Sequence, residues 1–141
     1  MKYKAFLDTT VFIYAFEFPN SNSNTVLWLV NKGIVEAVIS ERVVLESIRY
    51  FEKHHTAKLA KIFRKYLLES CVVIPKQLVS DEMDRLKGRI KDKDLEQLAT
   101  VKHLGLKFLV SYDRDFNEIK EYATPKRFLM EIGVKAQETE Y

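Results

Sequence analysis

Asp8 closes the run Lys4-Ala5-Phe6-Leu7 and is followed by Thr9-Thr10-Val11-Phe12-Ile13, so a carboxylate stands where a short apolar strand would end. Asp113 repeats the arrangement: Phe108-Leu109-Val110-Ser111 reads as a strand, and Tyr112-Asp113-Arg114-Asp115-Phe116 follows it. Open α/β sheets bind ligands beyond the carboxyl ends of their strands, so two strands bring acids to one functional edge. Carboxylates there offer hard oxygen ligands; a cap on the turn that follows is the plainer role, and position alone leaves both open for Asp8. Glu46 borders the helical stripe Val44, Leu45, Ile48 and Phe51, with pairing to Arg42 or Arg49 as its plain alternative. Asp94 precedes Leu95, Leu98, Ala99, Val101 and Leu104, with Gln97 where a capping partner would stand.

The elements that must position these acids follow from pattern. At 141 residues the chain has the usual size of one domain, residues 1–141. Apolar residues at 47% and charged residues at 30%, with four Gly and three Pro, exclude disorder and collagen-like order. Brief apolar runs at 4–7, 35–39, 72–74 and 108–111 predict four strands, buried on both faces. Amphipathic stretches at 24–31, 40–53, 56–69, 80–87 and 94–104, and another after Thr124-Pro125, predict helices between and beyond them. This alternation predicts an α/β domain with a small parallel sheet flanked by helices. The segment from Pro19 to Thr25 predicts a loop leading into a helix cap. A lone Cys71 excludes an internal disulfide and a cysteine zinc site, predicts a small buried side chain and points to a reducing cytoplasm. Asp8 interrupts what a signal peptide would need, and no run nears the ~18 apolar residues of a membrane span, so neither export nor a membrane partner is expected.

As an ordered set, Asp8, Glu46, Asp94 and Asp113 resemble the acidic quartet of PIN-domain ribonucleases. The resemblance rests on Phe6-Leu7-Asp8-Thr9-Thr10-Val11-Phe12-Ile13, then Ile39-Ser40 through Glu46, then Asp94-Leu95-Glu96-Gln97-Leu98-Ala99 leading to Gly105, then Leu109-Val110-Ser111-Tyr112-Asp113-Arg114-Asp115-Phe116. Thr124-Pro125-Lys126-Arg127-Phe128-Leu129 is similar to the family's closing helix. The likeness spans nearly the whole chain and extends to the compact toxins of VapBC-type toxin–antitoxin pairs. Ser111 stands where the family often has Thr, and Val101 where a smaller residue is expected. Asp94 rather than Asp92 fits the family's spacing to Ala99 and Gly105, and Glu46 fits the second position better than Glu41.

The resemblance implies a PIN-like three-layer α/β/α fold and hydrolysis of RNA phosphodiester bonds. Converging carboxylates repel by roughly 4 kcal/mol per pair at ~4 Å and a dielectric of 20, so they require cations or protons. Oxygen ligands without His or Cys favour Mg²⁺ or Mn²⁺ over zinc. Asp8 and Asp94 are then the main metal ligands, with Asp113 and Glu46 placing a second ion or its water. Thr10 and Ser111 are expected to orient these carboxylates or bind phosphate. Asp115 is an additional candidate ligand, with structuring the following turn as its simpler role. His54, His55 and His103 show no ligand spacing. Lys53, Lys58, Lys61, Arg64 and Lys65, or Arg85, Lys87, Arg89, Lys91 and Lys93, are candidate phosphate contacts, while Phe6, Phe51 and Phe63 read as core. An antitoxin and a second copy of the chain are the protein partners the resemblance implies. A PIN-like module that binds RNA or protein with little catalysis is the alternative function. A haloacid-dehalogenase-type phosphatase fits worse, because Thr10 stands where a second Asp is needed, and so does a receiver domain, because Pro75-Lys76 follows the run ending at Ile74.

Overall fold

The structure, a computed structural model, describes residues 2–141. Five parallel strands form one sheet in the order β3-β2-β1-β4-β5: β1 (Tyr3–Leu7), β2 (Val35–Ser40), β3 (Cys71–Ile74), β4 (Leu109–Val110) and β5 (Tyr122–Ala123). Helices α1 (Thr9–Glu17) and α2 (Asn22–Asn31) link β1 to β2, α3 (Glu41–His54) and α4 (Ala57–Ser70) link β2 to β3, α5 (Ser80–Leu86) and α6 (Leu95–Leu104) lead to β4, and α7 (Pro125–Glu131) follows β5. Ala5, Phe6 and Leu7 are consecutive and fully buried, which requires cover on both faces of the sheet. Right-handed crossovers put α1–α4 on one face and α5–α6 on the other, in keeping with the contacts of both α2 and α6 with β2.

Local chemistry sets the helix ends. Ser40 Oγ accepts from the Val43 amide to start α3, Thr56 Oγ1 from Leu59 to start α4, and Thr124 Oγ1 from Arg127 to start α7, whose first residue is Pro125. Gly105 ends α6 at φ 62°, ψ 35°, a left-handed conformation natural to glycine.

Several expectations need correction. There are five strands, not four: β5 is two residues long and carries no pattern that a window could detect. The chain after Asp8 is a nine-residue helix, not a short turn, and it buries Thr9, Val11, Phe12, Ile13 and Ala15. The polar segment after Pro19 becomes helical at Asn22, because Ser21 Oγ accepts from the Asn24 amide. On α3 the buried face is Val43, Val44, Ser47 and Phe51, while Leu45 is exposed. Cys71 is only partly buried, and burial pushes its thiol up to about 12.

Candidate functional site

Strand order reverses at β1: the chain first moves outward through β2 and β3, then returns to lay β4 on the other side of β1. A crevice at the carboxyl ends of β1 and β4 is the place where such sheets bind ligands. Phe6 pairs with Leu109 and Leu7 with Val110, and this register continues as the Asp8 amide donates to the Val110 carbonyl at 3.0 Å. Ser111 therefore faces Asp8, and its Oγ donates to Asp8 Oδ2 at 2.8 Å. The same Oγ accepts from the Asp113 amide at 2.9 Å and lies 3.4 Å from Thr10 Oγ1, which accepts from the Tyr112 amide. Thr10 and Ser111 thus tie the start of α1 to the loop carrying Asp113. Burial pushes Asp8 up to about 6, against the hydrogen bonds from Ser111 and the Thr9 amide, and the charges of Glu46 and Asp113 add to the rise.

Asp94 closes a 3₁₀ turn (Asp92–Asp94) before α6 and is buried, whereas Asp92 is exposed. Asp113 caps a second 3₁₀ turn (Arg114–Phe116), its Oδ1 accepting from the Asp115 amide at 2.9 Å. That turn brings the Asp115 carboxylate alongside, so that Asp94, Asp113 and Asp115 each offer an oxygen within 4.8 Å of the others. The Asp113 side chain holds the turn, and the Asp115 carboxylate joins the cluster. Asp8 is not in this closest set, which differs from the expected pairing of Asp8 with Asp94: Ser111 anchors Asp8 on its own strand. Lys93 draws the other three together, its Nζ 3.1 Å from both Asp94 oxygens, 2.9 Å from Asp113 Oδ2 and 3.0 Å from Asp115 Oδ2. Lys91 adds a contact of 3.1 Å to Asp115. Burial works against the charge on Lys93, but its hydrogen bonds to the three carboxylates outweigh this and hold its pKa above the ordinary lysine value. Burial likewise raises Asp94, with Lys93 pulling the other way.

Glu46 comes from α3 toward the same edge. Its Oε1 accepts from Thr9 Oγ1 at 3.0 Å, next to Asp8, while Oε2 lies 3.5 Å from Arg42 Nε. The pairing with Arg42 is thus present, and the same carboxylate also reaches the residue beside Asp8. Glu41 is elsewhere, accepting from the Lys76 amide at 2.7 Å. The sequence reading gave Thr9 no role; its signal was a hydroxyl directly after an acid at a strand end. Glu96 was also passed over: it is buried, and its Oε2 accepts from the Arg42 amide at 3.0 Å, fixing α6 against the start of α3. His55 sits on Glu17 at 3.0 Å, outside the cluster.

The acids fit a hard divalent cation by donor type, since the cluster offers only carboxylate oxygens. They also lie close together, with one oxygen of each acid within 4.8 Å of the others. A separate concavity, about 390 Å³, opens between α2 and α4 and is lined by Phe16, Leu27, Trp28, Ile62 and Phe63 among others. Its lining is mainly apolar and holds no acid.

The sequence model of the PIN domain family matches residues 5–122. No curated protein matches the sequence closely enough to count as a relative. Among solved structures, the fold is similar to a toxin–antitoxin complex from Klebsiella pneumoniae, with 22% identity, a TM-score of 0.67 and coverage of 86% of this chain and 97% of that one. It is also similar to DNA-bound VapBC from Salmonella typhimurium (15% identity, TM-score 0.69, 89% and 99% covered). A third is VapC20 from Mycobacterium tuberculosis, a toxin that cleaves the sarcin–ricin loop (14% identity, TM-score 0.62, 81% and 93% covered).

Proposed function

Because this chain belongs to the PIN-domain family, we propose that it is a ribonuclease dependent on Mg²⁺ or Mn²⁺ and the toxin of a toxin–antitoxin pair. The observation that carries this reading is the gathering of Asp94, Asp113 and Asp115 at the crevice between β1 and β4, with buried Asp8 beside them. Asp8, Glu46, Asp94, Asp113 and Asp115 are the residues that would hold the metal. A bound ion of this kind polarises a phosphodiester and activates the attacking water. The chain's own groups do the positioning. Ser111 fixes the carboxylate of Asp8, Thr9 fixes that of Glu46, and Thr10 holds the Tyr112 amide so that Asp113 faces the cluster.

RNA needs positive charge around this acidic centre. Lys87 and Arg89 are exposed on the segment between α5 and Asp94, suited to phosphates rather than to bases. The neighbours named as toxin–antitoxin complexes support an antitoxin as partner. The apolar trough between α2 and α4 is the surface proposed for it: Trp28 and Ile62 are more than half exposed there, and the exposed Lys58, Lys61 and Lys65 on α4 favour an apolar segment carrying acids. A homodimer in the cytoplasm completes the proposal. Among the described residues no helix is long and apolar enough to cross a membrane.

Incubation of mixed RNA with the purified chain tests the reading. Cleavage is expected with Mg²⁺ or Mn²⁺, is expected to stop with chelator, and is expected to vanish in Asp94→Asn. RNA retained on the protein but left intact at every metal concentration would instead favour the binding module.

A further inference from the structure

We propose that Lys93 is a tethered counter-ion that occupies the acidic cluster until a divalent cation displaces it, so that ammonium and metal are mutually exclusive occupants. This rests on the metal-site reading above. The Lys93 ammonium meets all three carboxylates of the cluster at 2.9–3.1 Å: it donates to both Asp94 oxygens and to Asp113 Oδ2, and forms an ion pair with Asp115. It sits among the same oxygens that would surround a cation. A metal such as Mg²⁺ needs those oxygens at about 2.1 Å, whereas a hydrogen-bonded nitrogen stands at 2.9 Å or more, so one set of oxygens cannot hold both in one place.

The placement allows exchange. Lys93 lies on the 3₁₀ turn before α6, and its side chain remains 46% exposed although its head is among the acids. The long stem can swing into solvent without disturbing the buried Asp94 beside it. Lys91 differs, because it reaches only Asp115 and leaves the centre of the cluster alone. The tethered charge has two consequences. It keeps mutually repelling acids assembled in the absence of metal, and it weakens metal binding by the work of its own displacement. Once displaced, the ammonium stands beside the place where a substrate phosphate must come.

Mn²⁺ titration followed by electron paramagnetic resonance, without RNA, tests this on the full chain and on Lys93→Met, Lys93→Gln, Lys93→Arg and Lys91→Met. Lys93→Met and Lys93→Gln are expected to bind Mn²⁺ at least about tenfold more tightly than wild type, Lys93→Arg to stay weak, and Lys91→Met to change by less than about threefold. In metal-free buffer both neutral variants are expected to melt at a lower temperature than wild type and to recover with Mn²⁺, since uncompensated acids repel. Equal or weaker Mn²⁺ binding by the neutral variants, with wild-type binding intact, overturns the counter-ion role alone. Absence of Mn²⁺ binding by every form overturns the metal site itself.

Discussion

Asp8 is the residue at which burial and charge oppose each other most directly. Its carboxyl, raised from 3.8 to about 6, holds its proton more tightly in the folded chain than in the unfolded one. The folded state therefore binds more protons between these values, and metal-free stability falls as pH rises through this window. Above about pH 6 the full penalty is present, at most roughly 3 kcal/mol. Asp8→Asn is expected to melt higher than wild type at pH 7 in chelator, with the difference gone below about pH 4, while RNA cleavage is lost. Melting curves across pH check this, and a lower melting temperature for the variant at pH 7 would favour a capping role. Glu46 and Glu41 separate by what they hold. Glu46→Gln is expected to lower cleavage by about 10–100-fold. Glu41→Gln weakens a hydrogen bond to the Lys76 amide, so it is expected to lose about 1 kcal/mol of stability with cleavage kept. Rates against Mn²⁺ concentration for the two variants make the comparison.

Elements act here mainly by where they stop. β4 is only two residues long, yet its pairing with β1 carries Ser111 to Asp8, and the turn beyond it points Asp113 and Asp115 at one spot. α6 must end promptly so that the chain can turn back into β4, and Gly105 provides that end. Nothing lies within 4 Å of a Cβ built at Gly105, so Gly105→Ala is expected to lose only the backbone strain of a left-handed alanine, about 1 kcal/mol, measurable by urea denaturation with cleavage unchanged. The segment before Asp94 has a different task. Its Lys91 and Lys93 are engaged with carboxylates, while Lys87 and Arg89 are exposed. Charge reversal of Lys87 and Arg89 to Glu is expected to weaken RNA binding uniformly across sequences. It should flatten the salt dependence by roughly 0.7 log units per log unit of salt for each phosphate contact removed.

At the scale of the whole molecule, the acidic centre sits in a chain of net charge +3, so the repulsion to be compensated is local. A cation that binds only the folded state stabilises it by mass action, about 2.7 kcal/mol at a hundred times its Kd. Mn²⁺ at pH 7 is therefore expected to raise the melting temperature of wild type and to have little effect on Asp94→Asn. Differential scanning fluorimetry with and without chelator gives the answer. The same core serves both ends of the fold, since buried residues of all the strands and of the helices α1, α2, α3, α4, α6 and α7 pack in one hydrophobic cluster. The acids thus project from elements that share one core.

Features written locally in the chain could be read before any folding. Apolar runs such as Phe6-Leu7 and Leu109-Val110 mark buried strands, Ser40, Thr56 and Thr124 mark helix starts, and the acids at strand and helix ends follow an order characteristic of a family. Tertiary structure alone decided which of those acids meet. Asp8 and Ser111 are 103 positions apart, and only the parallel register of β1 with β4 sets them face to face. Asp115 enters the cluster and Asp8 stays at its edge because a 3₁₀ turn re-aims one carboxylate while a serine holds the other. Lys93 looked like one more cation on a charged stretch; its place among three carboxylates depends on a turn and a strand end brought together from 20 residues away, and no local pattern encodes such a distance.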